Sequence, residues 1–268
     1  MKIVAINSSF RKEGNTEHVL RLMEEILNEK AGNNQVNIEF DYVSLSDMNL
    51  SVCRGCRICF IKGEEYCPLK DNLADLISRL KAADGIILGS PVYVEDVNGI
   101  MKNFIDRLAF FCHRPALAGK SALVITTSGS TSTVHSLRTM TNALRAWGAY
   151  ISAQGTFRMG AAMKVEEVNN QFSRNIITLT ERFFTSIVRK KPYNPDFYAY
   201  MVFKIQQKYR EMEFKKHKEL NKVNFDDQYW DQQGWLDPKC DFYIPHKPAV
   251  IKSKTAHILG GLITRILK

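Results

Sequence analysis

Apolar residues open the chain as a run, Ile3-Val4-Ala5-Ile6. They then recur at helical spacing through Val19, Leu20, Leu22, Met23, Ile26 and Leu27. A strand followed by an amphipathic helix fits this change of period. The alternation continues. Strands are expected over 2–7, 36–43, 84–90, 120–127 and 149–157, and helices over 15–31, 72–83, 97–112, 132–147 and 164–189. The segments Ile86-Ile87-Leu88 and Ala122-Leu123-Val124-Ile125 are apolar at every position, as strands buried on both faces are. Five strands alternating with five helices predict an α/β chain built on a doubly wound parallel sheet. Ligands in that architecture bind beyond the carboxyl ends of the strands, near the switch in strand order.

Three loops should meet at that end. The first, after strand 2–7, offers Ser8, Ser9, Asn15 and Thr16 as neutral donors and Arg11 as a cation, and leads into a helix. A helix N-terminus adds open backbone N–H groups and partial positive charge, so the strand–loop–helix unit suits an anion such as a phosphate monoester. An ordinary capped helix is the alternative, because Ser, Asn and Thr all cap helices. The loop contains neither Gly-x-x-x-x-Gly-Lys-Ser/Thr nor Gly-x-Gly-x-x-Gly, which excludes the two common nucleotide motifs. The second loop is Ser90-Pro91-Val92-Tyr93 and the third is Thr126-Thr127-Ser128-Gly129-Ser130.

Beyond residue 190 the pattern changes. Lys191-Pro192-Tyr193-Asn194-Pro195 should end the last helix. A long helix is expected over about 197–222, with Tyr198, Met201, Val202, Ile205, Tyr209 and Met212 on one face and lysines on the other. An aromatic segment follows, with Tyr229, Trp230, Trp235, Phe242 and Tyr243 among Asp, Gly and Pro residues that suggest irregular folded structure. The last stretch, 257–268, is apolar on one face and basic at its margins, which suits subunit packing or a membrane surface.

The 268 residues carry a net charge of +9, unevenly spread: 1–188 contribute +2 and 189–268 contribute +7. The basic excess thus belongs to the extension and not to the three loops. No motif for reading nucleic acid accompanies it, so nucleic acid is not an expected partner. No apolar run reaches the ~20 residues that span a bilayer, and the opening residues read as a strand and not as a signal peptide. A cytoplasmic protein, not an integral membrane protein, is expected. Thiols stay reduced there, so six cysteines point to metal ligands, redox groups or core residues before disulfides.

Four of those cysteines, Cys53, Cys56, Cys59 and Cys67, fall as C-x2-C-x2-C-x7-C in the loop after the second strand. Two-residue gaps let successive thiolates turn back toward one centre. A 4Fe–4S cluster, a four-thiolate zinc site and free thiols that pack or act in redox are the three readings of this spacing. None of the six histidines has metal spacing, and no nucleophile–base–acid set stands out; His135, near the third loop, is the one histidine placed to approach a ligand there.

Several segments, in this order, resemble those of the flavodoxin-like NAD(P)H-dependent FMN reductases, a group that includes the iron–sulfur flavoproteins. They are Asn7-Ser8-Ser9-x-Arg11-x-x-x-Asn15-Thr16, Cys53-x-Gly55-Cys56-x-x-Cys59, Asp84-Gly85-Ile86-Ile87-Leu88-Gly89-Ser90-Pro91-Val92-Tyr93, Gly99-x-Met101-Lys102-x-Phe104-x-Asp106-Arg107 and Thr126-Thr127-Ser128-Gly129. The resemblance covers roughly residues 1–185. It implies a five-stranded parallel sheet of order 2-1-3-4-5, an FMN-binding domain over 1–190, and a helical, aromatic-rich extension over 191–268 that packs on the domain or on a partner subunit. It also implies FMN as cofactor and NAD(P)H as a transient co-substrate. Ser8, Ser9, Arg11, Asn15 and Thr16 would hold the phosphate, Pro91, Val92 and Tyr93 would line one side of the flavin, and Thr127, Ser128 and Gly129 would approach its ring or ribityl chain. The iron–sulfur relatives imply a 4Fe–4S cluster on Cys53, Cys56, Cys59 and Cys67, although the last gap is longer here than is usual. Asp106 and Arg107 are expected on an ion-paired helix surface or at a subunit contact.

The implied activity is electron transfer from NAD(P)H to a small acceptor such as a flavin, a quinone or a nitro- or azo-compound. No protein group need act as catalyst, because the flavin carries the chemistry. A homodimer or homotetramer is expected. Two other functions fit the same residues: an electron carrier between protein partners, and a flavin-binding interaction protein that docks through its basic tail.

Overall fold

In the computed structural model of the protein, residues 1–160, 163–189, 193–246, 255 and 258–260 are described. The first strand and helix are β1 (Lys2–Asn7) and α1 (Asn15–Asn33), followed by β2 (Glu39–Ser44) and a short helix α2 (Ile58–Ile61) in the cysteine loop. Then come α3 (Leu73–Ala82), β3 (Gly85–Tyr93), a two-residue β4 (Asp96–Val97), α4 (Gly99–Arg107), β5 (Ser121–Ser128), α5 (Val134–Ala146), β6 (Tyr150–Arg158) and α6 (Val165–Val188). The extension supplies α7 (Phe197–Glu219) and α8 (Phe225–Gln232).

Five parallel strands hydrogen-bond in the order β2-β1-β3-β5-β6, and β4 folds back antiparallel on the end of β3. Counting only the parallel strands, this is the flavodoxin-like order 2-1-3-4-5. Alternation along each strand fills two cores. Val4, Ile6, Ile86, Leu88, Ala122 and Val124 meet Leu76, Met101, Phe104, Leu144 and Trp147 from α3, α4 and the end of α5. On the opposite face Ile3, Ala5, Ile87, Leu123 and Ile125 meet Val19, Leu20, Met23 and Leu27 of α1 and Ile176 and Phe183 of α6.

Three expected elements differ in detail. The helix expected over 97–112 stops at Arg107 and tightens into a 3-10 turn at Ala109–Cys112. The third strand runs on through Pro91, the last parallel partner of β5, to Val92 and Tyr93, which pair antiparallel with β4. The aromatic segment is not irregular throughout. Asn224 and Asp227 form a reciprocal capping box that starts α8 and places Tyr229 and Trp230 on a helix.

The extension builds a third core around Phe203, Trp230 and Trp235. It sits against the turn after α4. Trp230 Nε1 donates to the His113 carbonyl at 2.6 Å, and Gln206 Nε2 to the Cys112 carbonyl at 3.0 Å. The Arg114 guanidinium pairs with Asp226 of α8 and, at 2.8 Å, with Glu64 of the cysteine loop. Among the described residues no helix is long and apolar enough to cross a membrane. The expectations for 257–268 fall, apart from 258–260, outside the described residues.

Candidate functional site

The carboxyl ends of β1, β3, β5 and β6 open onto one cleft of about 200 Å³. Ser9, Arg11, Gly14, Asn15 and Thr16 line it from the first loop, Pro91, Val92 and Tyr93 from the second, and Thr127, Ser128 and Gly129 from the third. Every residue singled out in the sequence for the cofactor is therefore here, with one exception. Ser8 is fully buried beneath the loop and does not line the cleft. Its backbone ties the loop down instead: its N–H donates to the Gly89 carbonyl at 3.0 Å, and its own carbonyl accepts from Asn98 Nδ2 at 2.5 Å. Ser8 Oγ is buried with no protein partner.

Helix α1 begins at Gly14, whose backbone is extended and which supplies no side-chain cap. The first N–H groups of α1 therefore face the cleft without a capping oxygen, and Arg11 is the single charged side chain among the lining residues. Both features favour an anion. Close packing fixes the helix. A Cβ on Gly89 would lie 3.0 Å from Thr16 Cγ2 and 3.2 Å from Leu20 Cδ1, so any larger residue would push these α1 side chains back by a few tenths of an ångström. The loop itself is pinned from within: Ser9 N–H donates to Asn7 Oδ1 at 2.9 Å, Arg11 N–H to Ser9 Oγ at 3.1 Å, and Asn7 Nδ2 to the Tyr42 hydroxyl at 2.8 Å.

Cross-links join the loops. Thr16 Oγ1 and Thr127 Oγ1 share a buried hydrogen bond at 2.7 Å. Asn15 reaches across to the loop after β6, donating to the Gly160 carbonyl at 3.3 Å and accepting from Met163 N–H at 2.9 Å. Gly14 and Gly160 also line the cleft, and the sequence reading missed both. Gly160 carries φ +68 with open space where a Cβ would stand, so the Met-Gly pair after strand 149–157 was the available signal. Tyr93 is 44% exposed at the rim. It precedes a two-residue turn in which Val94 and Glu95 both have positive φ, 49° and 66°, a strained conformation for a β-branched residue. Thr139 Oγ1 anchors that hairpin by donating to Asp96 at 3.0 Å. His135 is exposed at the start of α5 and does not line the cleft, and no described residue of the extension walls it.

Uncapped helix amides, one cation, an exposed aromatic ring and two glycines that leave space match a phosphate-bearing planar cofactor, so the lining residues fit FMN. The cysteines lie apart from the cleft. Cys53, Cys56, Cys59 and Cys67 line one cavity of about 120 Å³, together with Arg54, Glu64 and Arg107. Burial pushes the Cys59 thiol up to about 11, and its neighbour Arg114 pulls against that. Among the described residues no group of three or more His, Cys, Asp or Glu side chains is disposed to hold a metal ion. The spacing therefore brings the thiols to one cavity without arranging them as a ligand set. Asp106 pairs with Lys102 on the surface at 2.5 Å, as expected. Arg107 does not belong to that surface. Its side chain is 2% exposed and binds Asp71, at the start of α3, together with the Ser51 carbonyl, which holds down the beginning of the cysteine loop.

The profile of a family described as NADPH-dependent FMN reductase matches residues 1–164. An iron–sulfur flavoprotein of Methanocaldococcus jannaschii is 42% identical over 107 residues, which is 40% of this chain and 51% of that protein. One of Archaeoglobus fulgidus is 34% identical over 150 residues, 55% of this chain and 64% of that protein. The chain thus spans between about half and two thirds of the length of these relatives. A solved flavone reductase superposes with a TM-score of 0.54 at 13% identity, covering 70% of this chain and 63% of that one, which is a likeness of fold.

Proposed function

The chain belongs to the NADPH-dependent FMN reductase family, and on that premise we propose that it is an FMN-dependent oxidoreductase that takes electrons from NAD(P)H and passes them to a small acceptor, a flavin, quinone or nitro- or azo-compound. The convergence of three sequence-distant loops on one cleft around the uncapped start of α1 carries this reading. Arg11 and the first amides of α1 would hold the phosphate. Ser9 and Thr16 would shape its seat, with Thr16 kept in place by Thr127. Pro91, Val92 and Tyr93 would cover one side of the ring system. Gly129 would let backbone approach the other edge, where an N–H can donate to the ring. When bound, FMN supplies the hydride- and electron-transfer chemistry, so the protein's part is to bind, orient and shield. Titration with FMN, followed by anaerobic addition of NADPH, tests this. Saturable uptake and bleaching of the flavin absorbance are expected, and a protein that takes up no FMN refutes the proposal.

A second reading, an electron carrier with a 4Fe–4S cluster on Cys53, Cys56, Cys59 and Cys67, is supported by the names of the relatives and by the cysteine spacing, and would require these thiols to close in from their present positions in the cavity. Iron and sulfide analysis of protein purified without oxygen separates the two. Cys56→Ser should abolish iron–sulfur absorbance and spare flavin uptake; equal iron in variant and parent removes Cys56 from any ligand set. A cytoplasmic location and a homodimer or homotetramer complete the proposal, and sedimentation measures the latter.

A further inference from the structure

A third cavity lies at the opposite end of β6 from the cleft. It holds about 160 Å³ between the start of β6, the last turn of α5, the first turns of α7 and residues 242–244. The nine residues of β6 rise about 3.3 Å each, so the two ends of this strand stand roughly 26 Å apart. A molecule here is too far from the cleft to exchange hydride with a molecule bound there. The cavity is a separate place on the protein.

Its walls are aromatic and held in place. Tyr193 stacks on Tyr150 with ring centroids 3.6 Å apart and planes 7° from parallel, and the Arg189 guanidinium lies over Tyr193 at 4.7 Å. The Tyr243 hydroxyl donates to Gln206 Oε1 at 3.1 Å, and Phe242 packs on Tyr200 and Phe203. Preformed apolar walls with a few polar groups at the rim are the usual form of a small-molecule site.

The rim sets the charge. Asp196, the one carboxylate among the described lining residues, caps α7, where it accepts from Ala199 N–H at 2.8 Å. Arg145, in the last turn of α5, makes no ion pair or side-chain hydrogen bond among the described residues. Arg145 also borders the polar groove that continues along α5 to Arg138, and that groove has no acidic side chain in its lining. Apolar ring walls thus end in a rim where the Arg145 guanidinium makes no ion pair among the described residues and the Asp196 carboxylate is engaged by the helix cap.

We propose that this cavity binds a planar aromatic anion, its rings among Tyr198, Phe242 and Tyr243 and its anionic group at Arg145. The aromatic faces offer offset and edge-on packing, and the guanidinium offers two parallel donors to a carboxylate or sulfonate.

Calorimetry of the full chain with 2-naphthoate tests this, in parallel with and without saturating FMN. One saturable site with the same affinity in both conditions is expected. Arg145→Met should weaken 2-naphthoate about threefold to tenfold and leave the neutral 2-acetylnaphthalene unchanged, because the guanidinium is exposed and its pairing is screened. Val202→Trp, which fills the cavity from α7, should abolish binding of both probes while FMN uptake and melting temperature stay near those of the parent. Absence of saturable binding at millimolar probe, competition by FMN, or an Arg145→Met protein that binds 2-naphthoate as the parent does would each overturn the proposal.

Discussion

Removing the Arg107 guanidinium should cost more than any surface substitution on α4, and the structure sets the size of the loss. Arg107 and Asp71 have side chains only 2% and 6% exposed. Their two hydrogen bonds measure 2.5 and 3.0 Å, and Arg107 also donates to the Ser51 carbonyl at 2.7 Å. Asp71 accepts further from the Ser51 and Leu73 N–H groups at 2.9 and 3.2 Å. Arg107→Ala leaves that carboxylate buried without its counter-charge, which costs about 3–5 kcal/mol. For a chain of this size that is roughly a 10 °C fall in melting temperature. Combining Arg107→Met with Asp71→Asn removes both charges, so the double variant should recover at least ~1 kcal/mol relative to the sum of the two single losses.

Urea unfolding monitored by tryptophan fluorescence measures the parent, Arg107→Ala, the two single variants of the cycle and the double variant. The pH dependence has a fixed sign. Burial by itself would raise the Asp71 pKa, but the bonds from Arg107 and the two backbone N–H groups outweigh it and hold the carboxyl below its ordinary 3.8. A carboxyl depressed in the folded state stabilises above its unfolded value, and the gain is lost as pH falls through the folded value. The gap between parent and Arg107→Ala should therefore shrink as pH falls below the ordinary carboxyl value of 3.8. A loss under ~1 kcal/mol at neutral pH, or a gap that persists unchanged in acid, refutes the assignment of a buried, charged pair.

Three other outcomes are expected. Arg11→Ala should raise the dissociation constant for FMN at least tenfold, the equivalent of a charge-assisted bond of ~1.5–3 kcal/mol, as read by quenching of flavin fluorescence; an unchanged constant counts against the phosphate seat. Gly89→Ala should destabilise by about 1–3 kcal/mol and weaken FMN uptake, because the added methyl drives α1 away from β3, and a variant with parental melting and affinity contradicts that packing. Thr127→Val leaves the Thr16 hydroxyl buried without its partner and should cost about 1–3 kcal/mol in chemical denaturation; a neutral effect would mean that Thr16 finds another partner.

The doubly wound sheet was legible because its signals are local. Fully apolar strands such as Ile86-Ile87-Leu88 and the three- and four-residue spacing of Val19 through Leu27 each report on a few neighbouring residues, and alternation of the two periods forces a parallel sheet. The three loops could be placed at one end for the same reason, since each follows a strand directly. The seat of each side chain was not local. Ser8 and Ser9 look alike in sequence, and only the bonds from Ser8 to Gly89 and Asn98 show that one is buried while the other lines the cleft. Likewise, neighbouring Asp106 and Arg107 suggested a surface pair, until α3 brought Asp71 against Arg107 from 36 positions away. The cysteine spacing gave a shared cavity and left its occupant open.

The amino-acid order alone thus determined the layers, the five parallel strands and three of the loops that border the cleft, because hydrophobic period acts over one or two turns. Tertiary packing decided which charges are buried, how Phe203, Trp230 and Trp235 close a third core, and that an aromatic cavity forms behind Arg145. Those depend on contacts between residues far apart in sequence, and burial free energy is realised only when the distant surfaces meet.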